Sequence, residues 1–390
     1  MIASLVEVDF VMSLKRPLFL ALIFLLSTFA GCFGSDSDSE TDSDTDSDSD
    51  IESESDIPPI TEVENTTDEP PVVEVPSNQI TCADGSTELW VWGNLTCLEP
   101  EMYAASDVSN ESINLTLEWY NIAREEWGNY GPVELYIVGL DLDAALELED
   151  AYCERHKALD SAWSEEWDCA NDNYQIFSHY VEDGGAAVGT FKRDYLEYDF
   201  LMLTMTSKYP GPEEEDYKPV VLHEYFHIYQ HAHISDECSS DNRVACERDS
   251  KMGGKGTPWF SEGGAEFMAQ LLYSRQPDTR DNYFEEVMRW KLEQSIDGYK
   301  NQDVGLENLT YSSPVGVYDI GAWFIAYLVH NEGEETFLVD FYGDLDELGF
   351  EGSFVKHFNS SSADYIDDFD AFLDQPVEDI LQILPEPDQS

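Results

Sequence analysis

Apolar positions recur at helical spacing through residues 112–127, where Ile113, Leu117, Tyr120 and Trp127 fall near one face. Val133 to Val138 is an apolar run of strand length, and residues 141–168 return to a long helical pattern. Stretches 173–181, 186–192 and 198–206 read as strands, divided by Gly184-Gly185 and by a charged turn. Pro210-Gly211-Pro212 closes this mixed half. From Glu213 to His233 the pattern is helical again, led by acids that suit a helix N-terminus. A polar loop follows, then a second helix opening near Pro258, a favourable first-turn residue. Further helices are predicted at 281–297, 314–331, 333–345 and 362–373, so strands and helices mix early and helices dominate late. No internal repeat is visible.

The first 75 or so residues follow no such pattern. Lys15-Arg16 precede an apolar run from Pro17 to Ala30, and Ala30-Gly31-Cys32 follows, which matches a secretory signal with Met12 as an alternative start. The cysteine placement resembles a lipoprotein signal and implies lipidation at Cys32. As a spanning helix the run is short. Residues 36–56 hold eleven acids and no Lys or Arg, a composition that stays disordered. The organisation expected is therefore a signal at 1–32, an acidic Ser/Asp tether at 33–76, a disulfide-bearing α/β region at 77–183 and the main body at 184–390. A lipid anchor or signal segment would be the only contact with a membrane, and the body would be extracytoplasmic, anchored or secreted.

Charge and cysteine usage narrow the picture. A net charge of −63 makes nucleic acid and acidic membranes poor partners and fits either adaptation to a saline or divalent-rich setting or simple solubility. Apart from Cys32 the cysteines form three close pairs, Cys82 with Cys97, Cys153 with Cys169 and Cys238 with Cys246. Local disulfides are the simplest connectivity, in keeping with an oxidising compartment, and Leu89-Trp90-Val91-Trp92 suggests a small hairpin closed by the first of them.

The chemistry lies in His223-Glu224-Tyr225-Phe226-His227, an HExxH segment inside a helical stretch. Residues i and i+4 share a helix face, so both imidazoles can reach one ion while Glu224 stands beside them to accept a proton from activated water. Downstream, Trp259-Phe260-Ser261-Glu262-Gly263-Gly264-Ala265-Glu266 resembles the third-ligand helix of gluzincin metallopeptidases, the clan that includes thermolysin and aminopeptidase N. The resemblance covers about residues 184–330. It implies one zinc per chain held by His223, His227 and Glu262, with Glu266 supporting the first histidine from behind. Tyr318-Asp319-Ile320-Gly321 resembles the Y-x-x-G helix of the same clan, whose tyrosine stabilises the oxyanion; Tyr311 is the substitute candidate. His233, six residues after His227, is the competing third ligand of a metzincin arrangement, but Gln230 stands where those enzymes need a turn-forming glycine.

What the resemblance implies is an α+β, thermolysin-like zincin domain: a mostly antiparallel sheet lobe, then a mainly helical lobe, with the active site between them. The expected activity is zinc-dependent hydrolysis of peptides or proteins with Glu224 as general base. The alternative is a zinc-binding surface protein of the same fold that is inactive or acts on something other than peptides. Gly184-Gly185-Ala186-Ala187-Val188-Gly189 stands about where the clan has its substrate-binding edge strand, without the G-x-M-E-N signature of true aminopeptidases. Natural substrate, mode of cleavage and oligomeric state are not legible.

Overall fold

The computed structural model describes residues 79–82, 87–89, 94–171, 174–192, 198–235, 252 and 257–385. The signal and tether, Cys32, Trp90 to Trp92 and the Cys238/Cys246 pair lie outside the described residues. A two-stranded antiparallel ribbon comes first, β1 (Gln79–Thr81) with β2 (Thr87–Leu89), and a Cys82–Cys97 disulfide closes the segment after it. Then follow β3 (Glu101–Ala104), α1 (Asn110–Trp127), β4 (Val133–Val138), α2 (Leu142–Leu159), α3 (Ser178–Asp183), β5 (Ala186–Phe191) and β6 (Phe200–Thr206).

The main sheet has the order β3-β4-β6-β5. The resemblance implies mostly antiparallel pairing. Instead β3–β4 and β4–β6 are parallel, and only β5–β6 is antiparallel. The cause is connectivity: α1 bridges β3 to β4, and the long excursion through α2 and α3 separates β4 from β6, which is what parallel neighbours require. Every residue of β4 is buried because both faces of the sheet are covered. Val133 and Leu135 pack with Leu201, Leu203 and Met205 on the face that receives α1, while Tyr136 and Val138 join Phe200 under α2. Glu134, the one acid in this strand, is neutralised by α2: Arg155 Nη1 donates to Oε1 at 2.6 Å and His156 Nε2 lies 3.0 Å from Oε2.

Two further expectations fail nearby. The helix predicted across 141–168 stops at Leu159, because the buried Asp160 carboxylate accepts from the backbone of Ala162 and Tyr198 and turns the chain. A Cys153–Cys169 disulfide then fastens the returning loop to α2. The strand predicted at 173–181 is instead a turn leading into α3. Glu149 of α2 is responsible: one of its oxygens accepts from the N–H groups of Ile176, Phe177 and Ser178 at 2.8, 2.6 and 2.7 Å, capping the helix that begins there.

The second half is helical: α4 (Tyr217–Ala232), α5 (Trp259–Ser274), α6 (Tyr283–Lys300), α7 (Val317–Glu332), a π-type turn at Thr336–Phe341, α8 (Tyr342–Phe358), α9 (Ser362–Phe372) and α10 (Val377–Ile380). Helix α4 lies between the sheet and α5 and is buried around nearly its whole circumference. Trp259 and Phe260 of α5 pack into an aromatic cluster with Phe324, Phe341 and Phe350. Helices α5 and α7 touch through two glycines. A methyl group on Gly321 would stand 2.5 Å from the Trp259 carbonyl oxygen and 3.0 Å from Gly263 Cα. We therefore expect Gly321→Ala to cost about 1–3 kcal/mol or more in urea unfolding, since backbone cannot yield as a side chain can. A variant as stable as the parent would mean that the helices separate freely.

Candidate metal centre

His223, Glu224 and His227 come from α4, and the two imidazoles stand one helical turn apart with ring centroids separated by 4.8 Å. Glu262, in the first turn of α5, reaches across to both. Its Oε2 lies 3.1 Å from His223 Nε2 and 3.2 Å from His227 Nε2, and the two nitrogens are 3.1 Å apart. These three atoms form a nearly equilateral triangle. A tetrahedral ion with ligands at about 2.0–2.1 Å requires donors roughly 3.3–3.4 Å apart, so the triangle fits a zinc-sized cation closely. Among the described residues this is the one group of three or more His, Cys, Asp or Glu side chains arranged to hold a metal ion.

The far nitrogen of each ring is tied down, which leaves Nε2 as the atom that could face an ion. His223 Nδ1 bonds Glu266 Oε2 at 3.1 Å, and His227 Nδ1 donates to Gln230 Oε1 at 2.8 Å. Gln230 is anchored in turn by donating to the Ser261 carbonyl and to the Tyr342 hydroxyl. Tyr311 donates to Glu262 Oε1, the oxygen turned away from the histidines. The Tyr318 ring stands 5.9 Å from that of His223 and 6.1 Å from that of Tyr311. The Gly263–Gly321 contact sets this distance, because Tyr318 lies one turn before Gly321 on α7. Glu224 is 7% exposed, and its carboxylate has no hydrogen-bond partner among the described residues.

Electrostatics favour a cation here. Four carboxylates, on Glu224, Glu262, Glu266 and Asp319, are set against one ammonium, that of Lys291. Without an ion, burial opposes protonation of His223, yet its bonds to Glu262 and Glu266 outweigh burial and push its pKa up to about 10. His227 is raised as well, against burial, by the Glu262 charge. Burial would raise Glu262, but the two histidines hold it well below the carboxylate range. Burial pushes Glu224 up, and it pushes the Tyr318 phenol far enough that this group stays a proton donor.

A prediction follows for metal uptake. A ligand nitrogen must lose its proton to bind, and below about pH 10 His223 holds one, so competition weakens as pH rises. Zinc affinity should therefore climb about tenfold per pH unit for each proton displaced between roughly pH 7 and 9. Chelator competition at several pH values checks this, and a flat profile contradicts it.

No match stands beside this geometry: no protein-family model fits the chain, and comparison with curated proteins and with solved structures finds no similar one. The arrangement speaks through its own residues. The fold brings together His223, His227 and Glu262, sets Glu224 and Glu266 next to them, and puts Tyr318 and Tyr311 at the edge. His233 stays apart: its Nδ1 donates to the Tyr229 carbonyl at 2.7 Å, and its ring packs among Tyr130, Tyr229 and Tyr342.

Three contributors escaped the sequence reading: Gln230, Lys291 and Tyr342. Two had a signal. Gln230 lies three residues beyond His227, close enough on one helix face to reach its ring. Lys291 interrupts a buried stripe of α6 that runs through Met288, Leu292 and Ser295, where a lysine calls for a partner. Tyr342 arrives from a distant helix and had none.

Proposed function

We propose that the protein is a zinc-dependent peptide hydrolase of the gluzincin type, with the ion held by His223, His227 and Glu262. The observation that carries this reading is the donor triangle with both imidazoles oriented from behind, beside a buried carboxylate with no hydrogen bond to any described residue. Zinc bound there would supply Lewis acidity, activating water and polarising the scissile carbonyl. The protein's own groups do the rest. Glu224 accepts the proton of the attacking water, and burial raises its pKa in the direction a general base at neutral pH needs. It then delivers that proton to the leaving amine. Tyr318 donates to the carbonyl oxygen as negative charge develops there. Tyr311 donates to Glu262 Oε1 and steadies that ligand.

Strand β5 supports a peptide substrate. It is the outermost strand of the main sheet among the described residues and packs against α4, the helix that carries Glu224, so an extended chain could add to its outer edge. The disulfides Cys82–Cys97 and Cys153–Cys169 support an extracytoplasmic location.

The deciding experiment measures zinc content of the purified full-length chain and casein hydrolysis before and after chelation. One zinc per chain with hydrolysis that chelation removes and zinc restores is the expected result. Zinc without hydrolysis of casein or of a peptide library would replace peptidase with a non-peptidase or inactive zinc protein. Absence of zinc would overturn the reading.

A further inference from the structure

Lys291 sits midway along α6, and its side chain is 1% exposed. An ammonium at that depth carries a large desolvation cost, which a methionine in the same stripe would avoid. What the lysine gains is a fixed pair of carboxylates. Its Nζ lies 2.7 Å from Glu266 Oε1 and 3.0 Å from Asp319 Oδ1, so a single cation joins α6 to α5 and to α7. Glu266 in turn presents its other oxygen to His223 Nδ1 at 3.1 Å. Gln270 Nε2 also donates to Glu266 Oε1, at 2.9 Å, and Tyr283 holds that amide through its hydroxyl. Every contact on Oε1 thus bears on the orientation of Oε2, and through it on the ring of His223.

We propose that Lys291 is a positioning residue for the metal centre: anchored by Asp319, it fixes Glu266 so that His223 presents Nε2 to the ion. The inference rests on the zinc reading above and adds to it the residue that sets the strength of binding. Lys291 touches neither ion nor substrate. Its effect passes through Glu266, which separates this role from simple neutralisation of buried charge. A lysine that only neutralised buried charge would change the stability of the fold, and its loss would leave the zinc affinity of the folded protein unchanged or raise it, because a nearby positive charge is removed.

The test is a double-mutant cycle on zinc affinity, read by chelator competition in the full-length protein well below each variant's Tm. Lys291→Met and Glu266→Gln should each weaken zinc binding by about 10–100-fold, the range for losing a partner behind a ligand. Together they should weaken it little more than the worse single change, because both break one chain of contacts. Lys291→Arg, which keeps a cation able to donate to both carboxylates, should recover much of the loss. Wild-type affinity in folded Lys291→Met, or full additivity of the two losses, would overturn the proposal. If Lys291→Met does not fold, the cycle runs with Lys291→Gln, whose shorter amide cannot span both carboxylates, and wild-type affinity there or a loss that adds fully to that of Glu266→Gln has the same force. A wild-type protein that binds no zinc defeats the zinc reading itself; a zinc-loaded wild type with an indifferent Lys291→Met defeats only the role of Lys291.

Discussion

Replacing Glu224 with glutamine should leave a folded protein that carries its zinc yet hydrolyses casein about 10²–10⁴-fold more slowly, the usual contribution of a general acid–base group. The change is isosteric, and Glu224 belongs to none of the hydrogen bonds that hold His223, His227 and Glu262 together. Its neighbours act on it only through their charges, the two histidines lowering its pKa and Glu262 and Glu266 raising it against a background of burial. Glutamine therefore removes a proton acceptor from the site and little else. Zinc content and kcat measured on the same preparation decide the matter. A zinc-loaded Glu224→Gln protein with wild-type turnover would remove Glu224 from the mechanism.

The second large effect concerns the third ligand. Glu262→Ala should lower zinc affinity by more than the roughly 10–100-fold expected for an outer partner, because one corner of the donor triangle disappears. It also removes the carboxylate that accepts from Tyr311 and one of the two carboxylates bonded to His223. His233→Ala should leave zinc affinity nearly unchanged and act on stability instead, since His233 fills an aromatic niche and donates to the Tyr229 carbonyl. The two variants, compared by chelator competition at one pH, rank the alternatives directly. Greater zinc loss from His233→Ala would favour a three-histidine centre.

How much of this was legible in the chain depends on the range of the interactions involved. Strand β4 falls at Val133–Val138 as the apolar run predicted, α1, α4 and α6 fall within a few residues of their predicted spans, and α5 opens at Trp259 beside the predicted Pro258, because burial imposes its period on each of them. The HExxH spacing likewise placed two imidazoles on one helix face, and the segment around Glu262 named the acid that completes the triangle. The errors have a common origin. The segment at 173–181 looks like a strand by itself, but a carboxylate from α2 captures its backbone N–H groups. Parallel pairing in the sheet was implicit in the helices lying between the strands, yet alternation of apolar residues says nothing about direction. Tyr342 reaches Gln230 across a separation of 112 residues, beyond any local pattern.

The centre is also remote from itself along the chain. His223 and Glu262 are 39 positions apart, Glu266 and Lys291 are contributed by different helices, and Asp319 lies 28 positions beyond Lys291. Bringing such distant segments together costs loop entropy before any contact is made. On the zinc reading, the ion meets a complete set of donors only after α4, α5, α6 and α7 have docked. It would then act as a seal on a finished fold rather than a seed for it, adding stability in proportion to its free concentration. Metal supply would set how long the mature protein survives, while the chain alone sets whether it forms.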